Sequence, residues 1–339
     1  MQVNELFRQS NTILLDGGMG TMLQAAGLKL GARPEELNIT DPALIEGIHG
    51  QYAAAGSRIV NANTFGASAH KLAGSAYTLE QVITAGIENC KRACAPYGAL
   101  TALDVGPLGE LLEPSGTLAF EDAVAEYARI VKAGEAAGAD LIFFETYTDL
   151  YELKAALLAA KENTHLPILA SMSFEAGGRT FTGCTVESFA ATARGLGADA
   201  VGINCSLGPK EIFPMAKRLA EAVPGNFPVF VKPNAGLPRA DGSGYDITPQ
   251  LFALQMKPYR ELHLFAAGGC CGTTPEFIKL LNGTFAGCTP GRPAHRMPSV
   301  LCTPVDTVTV DGITVVGERI NPTGKKRFQQ ALREGDMNY

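Results

Sequence analysis

The sequence lacks tryptophan, and it is poor in histidine and in charged residues. Its 339 residues include no Trp, five His and only 18% charged residues, whereas 46% are hydrophobic. No HxH or HExxH motif occurs among the histidines, which disfavours a metallohydrolase site built on imidazole ligands. The abundance of apolar residues predicts a globular, enzyme-sized chain with a large buried core.

Clusters of basic residues are also missing. The net charge is -6 at pH 7 and no block of Lys and Arg occurs, so the positive surface typical of proteins that bind nucleic acids or anionic membranes is not expected. No apolar run reaches the roughly 18 to 20 residues of a bilayer span, and the start MQVNELFRQS has neither the basic nor the apolar region of a signal peptide. We therefore expect a cytoplasmic protein that acts on small molecules, with no nucleic-acid or membrane partner.

Short apolar runs alternate with Ala-rich amphipathic segments along most of the chain. The runs end in Gly, Asn, Pro or Ser, as parallel strands covered on both faces do; they are TILLDGG, SRIVNANTF, LTALDVGP, DLIFFETYT, PILASMSF, DAVGINCS, FPVFVKPNAG and LHLFAAGGCCG. The segments between them carry Ala, Leu and Glu at helical spacing. Eight repeats over about 290 residues predict an α/β fold, a (β/α)8 TIM barrel, with an open doubly wound sheet as the alternative.

Polar and reactive residues follow nearly all of these runs, and this placement favours the barrel. One crevice can serve all of them only if the strands close into a ring. The residues are Asp16, Asn61, Asn63, Thr64, Asp104, Glu145, Ser173, Asn204, Cys205, Lys232, Asn234, Cys270 and Cys271.

The eight cysteines predict metal or catalytic chemistry, because a cytoplasmic chain keeps its thiols reduced. Cys205 ends the sixth run, and the adjacent Cys270 and Cys271 end the eighth. Neighbouring strand residues point to opposite faces, so both can reach one ion only where the chain has left the strand, and flanking glycines supply that freedom. Catalytic zinc sites keep three protein ligands and one open position. The cluster predicts a three-cysteine zinc site; a buried apolar role for a single cysteine and a redox-active pair are the alternatives.

The composition changes after about residue 290. Residues 291–312 are rich in Pro and Thr and predict an extended linker, whereas residues 313–339 predict one strand, a turn and the start of a helix. One such unit cannot bury a core alone. It either packs on the barrel (residues 1–290) as a C-terminal extension or begins a second, truncated domain.

Four motifs resemble those of the homocysteine S-methyltransferase family. They are LLDGGMGT at 14–21, NANTFGAS at 61–68, GINCS at 202–206 and GGCCGTTPEFI at 268–278, and the likeness extends from residue 10 to about 290. The tail VVGERINPTGKKRF at 315–328 resembles the opening of the pterin-binding barrel that follows the homocysteine domain in cobalamin-dependent methionine synthases. That tail favours this branch of the family over its betaine- and S-methylmethionine-dependent relatives.

The resemblance implies a zinc ion bound by the three cysteines, with the sulfur of L-homocysteine in the open position. It also implies four substrate contacts. Glu145 matches the acid that binds the amino group and Asp16 matches the acid of the first loop, whereas Gly17 and Thr64 are expected to provide carboxylate and backbone contacts. Asn234 could lend an oxygen to zinc when homocysteine is absent.

The implied reaction is methyl transfer to the thiol of L-homocysteine, which yields L-methionine. Methylcobalamin is the expected methyl donor, and cobalamin-binding and folate-binding domains or proteins are the expected partners. S-methylmethionine or betaine as the donor is one alternative. A zinc or redox sensor without catalytic activity is the other.

Overall fold

The computed structural model describes residues 6–29, 31–239, 244–293, 297–317, 321–336 and 338. Eight short strands, parallel to one another, form the central sheet. They are β1 Ile13–Leu14, β2 Ile59–Asn61, β3 Leu100–Val105, β4 Leu141–Tyr147, β5 Ile168–Met172, β6 Ala200–Asn204, β7 Val229–Lys232 and β8 Ala266–Ala267. Each strand coincides with one of the predicted apolar runs.

The first and last strands pair with each other, which closes the sheet. Ile13 of β1 lies opposite Ala266 of β8. Between β1 and β2 a single bridge joins Leu14 to Ser57, and the Arg58 amide donates to the Leu14 carbonyl at 2.7 Å. The predicted (β/α)8 barrel is confirmed, and the open doubly wound sheet is wrong because its outer strands would stay unpaired.

Helices follow the strands and cover the outside of the ring. They are α1 Met19–Ala25, α2 Leu37–Thr40, α3 Pro42–Ala54, α4 Leu79–Cys94, α5 Phe120–Ala136, α6 Leu150–Asn163, α7 Val186–Gly195, α8 Pro209–Glu221, α9 Pro249–Met256, α10 Pro275–Phe285 and α11 Lys326–Glu334, with 3₁₀ turns at Pro34–Glu36, Ala95–Tyr97 and Lys257–Leu262. Several begin at a side-chain cap: Thr78, Asp149 and Thr185 accept backbone N–H groups of α4, α6 and α7. Within the described ranges, no helix has the length and apolar character needed to cross a bilayer.

Two sets of strand residues face the axis of the barrel. The first set is apolar and forms its own buried cluster, which includes Ile59, Ala102, Phe143, Leu169, Ala200 and Phe230. Because side chains alternate along a strand, the residue two positions further on also faces the axis, nearer the carboxyl end. That second set consists of Asn61, Asp104, Glu145, Ser171, Gly202 and Lys232. The barrel is therefore apolar in its centre and polar beneath its carboxyl-terminal mouth.

The C-terminal part differs from its prediction. Residues 299–310 form a hairpin of β9 Ser299–Cys302 and β10 Thr307–Val310 within the segment predicted as an extended linker. The hairpin packs on the start of α7, where the Thr185 amide donates to Pro304 at 3.2 Å and Ser188 to Asp306 at 3.2 Å. Residues 313–317 form no strand, although α11 confirms the predicted helix. Residues 294–296, 318–320, 337 and 339 of these predicted segments lie outside the described residues.

Candidate metal and substrate site

Three thiols meet at the carboxyl-terminal mouth of the barrel. The Sγ atoms of Cys205, Cys270 and Cys271 all lie within 4.8 Å of one another, and those of Cys205 and Cys271 are 3.8 Å apart. Zinc–sulfur bonds of about 2.3 Å at tetrahedral angles require ligand sulfurs about 3.8 Å apart. The donor type and the spacing both fit one zinc ion with an open fourth position.

Local backbone geometry brings these thiols together. Cys205 follows the last residue of β6 and, like Ser206, has a left-handed backbone, with φ of 62° and 61°. Such angles are uncommon for residues other than glycine. After β8, the Cys270 amide donates to Pro233 at 2.8 Å, and the Ala235 amide donates to the Cys271 carbonyl at 2.9 Å. As predicted, the chain has left both strands where the thiols occur.

Gly272 provides the turn that lets Cys270 and Cys271 face the same point. Its φ is +80°, and an added Cβ would lie 2.3 Å from the Tyr245 ring. The Tyr245 hydroxyl in turn lowers the pKa of Cys271. Hydrogen bonds from the Cys205 and Cys270 thiols also lower the pKa of Cys271, so the cluster favours one thiolate by itself.

A buried ion-pair network lies beside the thiols. The Lys232 ammonium is 3.0 Å from Asp16 Oδ1 and 2.9 Å from Glu145 Oε2, and it lies 5.0 Å from the centre of the Phe143 ring. Asn61 contributes its amide to Asp16 Oδ2 at 2.8 Å and its side-chain nitrogen to Glu145 Oε2 at 3.3 Å. The two acids predicted to bind substrate are thus held together by a buried lysine.

Burial and pairing set the ionisation of this network. Burial raises the pKa of Glu145 to about 7, although the positive charge of Lys232 opposes this change. Burial likewise raises the pKa of Asp16. For Lys232 burial alone would lower the pKa, but the carboxylates of Asp16 and Glu145 outweigh it and hold that pKa well above its usual range. The lysine is therefore a permanent cation at neutral pH.

The other predicted site residues surround this network. Gly17 is pressed against α3 and the loop after β8, since a Cβ there would lie 2.6 Å from Thr273 Oγ1. The Thr64 hydroxyl donates to the Asp104 carbonyl at 2.8 Å and accepts from the Asp104 amide at 3.1 Å. Asn234 is buried, and its Oδ1 has no hydrogen-bond partner. It follows Pro233 directly, the residue that accepts from the Cys270 amide.

Asn204, one of the polar residues expected at the mouth, joins two of its loops, a role that the sequence did not suggest. Its Oδ1 accepts from the Thr146 amide and the Ser171 hydroxyl at 2.9 Å each, and its Nδ2 donates to Thr146 Oγ1 at 2.7 Å. Thr146 directly follows Glu145 and has a left-handed φ of 67°. Asn204, which precedes Cys205, therefore connects the thiol cluster to the bend that carries Glu145.

A separate cleft of about 380 Å³ lies on the outside of the barrel. It is bounded by α6, α7 and the C-terminal hairpin, and its lining includes Tyr151, Lys154, Thr192 and Cys302. None of the predicted site residues contributes to it. The chemistry-bearing groups are concentrated at the barrel mouth instead.

Comparison with known proteins points to one family. A family model described as homocysteine S-methyltransferase matches residues 13–285. The methionine synthases of Mycobacterium tuberculosis and Mycobacterium leprae are each 32% identical to the chain over 94% of its length. The chain spans 28% of the length of either relative.

Solved structures also share the fold. The homocysteine methyltransferase MmuM from Escherichia coli superposes with a TM-score of 0.72 in its oxidized form and 0.71 in its metallated form. Sequence identity is 24% and 23%, and each comparison covers 83% of this chain and 98% or 99% of the other. These structures support the barrel architecture.

Proposed function

Because the chain belongs to the homocysteine S-methyltransferase family, we propose that it transfers a methyl group to the thiol of L-homocysteine, with bound zinc, and yields L-methionine. The observation that carries this proposal is the convergence of three thiols within 4.8 Å of one another at the barrel mouth. Family membership supports the methyltransferase activity and homocysteine as its substrate. The bound zinc ion, the methyl donor and the residues that contact homocysteine are proposed with it.

Cys205, Cys270 and Cys271 are the proposed zinc ligands. When bound, zinc would lower the pKa of the substrate thiol in its open position and so supply a nucleophilic sulfur at neutral pH. The protein holds the three donors on the loops after β6 and β8, and both loops are hydrogen-bonded to the loop after β7, where Asn234 donates to Leu207 and Pro233 accepts from Cys270. In the absence of homocysteine, the unpartnered Oδ1 of Asn234 is the proposed fourth ligand.

The amino-acid end of homocysteine is proposed to bind next to the buried network. Glu145 and Asp16 supply negative charge for its ammonium group, while Lys232 keeps both acids in place. Gly17 and Thr64 line the approach to its carboxylate. Since these groups are fixed by hydrogen bonds before substrate arrives, they orient the thiol with little loss of conformational entropy.

Methylcobalamin is the proposed methyl donor, delivered by a cobalamin-binding domain or protein, with a folate-binding partner. The relatives named methionine synthase support this choice because they match 94% of the chain, including its C-terminal part. In this proposal residues 1–290 are the homocysteine-binding barrel, residues 291–312 a linker that includes the hairpin, and residues 313–339 the start of a pterin-binding domain.

Methyl transfer to L-homocysteine, assayed in parallel with methylcobalamin, S-methylmethionine and betaine, tests the proposal. We expect methionine from methylcobalamin with zinc-loaded protein, and loss of both zinc and activity in Cys271→Ser. Cys302→Ser is the matched control, since Cys302 is exposed and lies outside the thiol cluster. If only S-methylmethionine or betaine is used, that compound is the methyl donor in place of methylcobalamin. A chain that binds zinc but neither binds nor methylates homocysteine would instead be a sensor.

A further inference from the structure

We propose that Asp104 is a further substrate-binding residue, which receives the ammonium group of L-homocysteine together with Glu145. It would select an α-amino acid over the same thiol without its amino group. The inference rests on the proposed function, since it concerns how that substrate is held.

Asp104 faces the barrel axis beside Glu145. It lies two positions beyond Ala102, a member of the apolar cluster inside the ring, and it is in register with Phe143 on the adjacent strand. Glu145 lies two positions beyond Phe143, so both carboxyl groups point to the same side of the sheet on neighbouring strands. They are close enough for the charge of Glu145 to act on Asp104.

One oxygen of the Asp104 carboxyl group is buried and unpartnered. The residue is only 7% exposed, and its Oδ1 is buried with no hydrogen-bond partner. The backbone of Asp104, by contrast, is fully paired: the Thr64 hydroxyl donates to its carbonyl and accepts from its amide. Burying an unpaired carboxyl group is costly, and natural sites that retain one often use it for binding. The rigid backbone and the free oxygen together resemble a preformed ligand contact.

Among the described residues, the mouth contains more buried carboxyl groups than cations that pair with them. Three carboxyl groups, those of Asp16, Asp104 and Glu145, are buried in the mouth, and Lys232 is the cation that pairs with two of them. Lys232 forms no ion pair with Asp104 among the described contacts. Burial and the negative charge of Glu145 raise the pKa of Asp104 well above its usual range. A second cation would therefore be stabilised here, and the ammonium group of an amino acid has the right charge.

Calorimetric titration of the zinc-loaded chain with L-homocysteine and with 4-sulfanylbutanoate, which lacks the amino group, tests the inference. Asp104→Asn keeps the shape of the side chain and removes its charge. We expect homocysteine to bind about 10- to 100-fold more weakly to this variant, the range for loss of a charged hydrogen bond. Binding of 4-sulfanylbutanoate should stay at its native level, and the ligand-free variant should unfold at an equal or higher temperature because a buried acid is gone.

Two results would overturn the role of Asp104. One is native affinity of Asp104→Asn for both ligands. The other is an equal loss for both ligands, which indicates a structural role. Asp104→Ser, smaller and also neutral, should repeat the selective loss and covers the case in which Asp104→Asn does not fold. Asp140→Asn is the control, since Asp140 accepts from the Thr101 amide at the opposite end of the strands. If the native chain itself does not bind homocysteine, the proposed function fails first.

Discussion

The buried histidine of α3 makes the stability of the barrel depend on pH in a calculable way. His49 is 0% exposed, neither ring nitrogen has a hydrogen-bond partner, and burial lowers its pKa to about 3. In the unfolded chain the imidazole has a pKa of about 6.5. Between these values the unfolded state binds a proton that the folded state does not, so stability falls as the pH drops below 6.5. From pH 7.5 to pH 5.0 the loss from this one group is about 2 kcal/mol.

His49→Leu removes this contribution and keeps the side chain apolar and of similar volume. Urea unfolding of both proteins at pH 7.5 and 5.0 measures it, and the native chain should lose about 2 kcal/mol more than the variant does. At pH 7.5 the variant should be no less stable, because two unpaired buried nitrogens are gone. His165→Leu, at an exposed position, controls for the loss of any histidine. Equal pH dependence of the native chain and His49→Leu would refute the reasoning.

Two further predictions concern the loops that carry the site. Asn204→Ala should lower the free energy of unfolding by about 1 to 3 kcal/mol, since it leaves the Thr146 amide without its acceptor; Asn204→Asp retains an acceptor and should lose less in the same urea titration. Gly272→Ala should weaken zinc binding in a chelator competition, because the new Cβ would lie 2.3 Å from the Tyr245 ring. Gly287→Ala, also at positive φ but with open space around its Cβ, should leave zinc affinity unchanged.

The fold was predictable because its strands are buried on both faces. Leu100–Val105, for example, is buried at all six positions, so its sequence is a short apolar run that no amphipathic helix would show. The meeting of Cys205 with Cys270 and Cys271 followed from the same reasoning, since carboxyl ends of parallel strands in a ring share one mouth. Both predictions needed only the alternation of apolar runs with helical segments and the closure of the sheet.

The C-terminal segment was harder to predict for a physical reason. Residues 313–316 read ITVV, a pattern typical of a strand, yet Ile313 and Val315 are almost fully exposed and form no ladder. A strand needs a neighbour for its hydrogen bonds, and none of the described residues supplies one there. Thr307–Val310 has a similar composition and does pair, because a tight turn brings Ser299–Cys302 beside it. Both segments have the composition of a strand, but only Thr307–Val310 has a neighbouring strand with which to pair.

The charges inside the barrel show the same dependence on partners. Lys232 in FVKPNAG looks like a lysine at a strand end, which usually extends into solvent. Its position two residues after Phe230 predicts that it faces the axis, and there a lone ammonium would be prohibitively costly. Two carboxylates offset this cost. Glu145 lies 87 positions away in sequence, and no local pattern connects Asp16 to Lys232. Once the ring closes, an inward-facing charge is stabilised by an opposite charge within a few ångströms, and among the described residues Asp104 is the mouth acid that forms no ion pair.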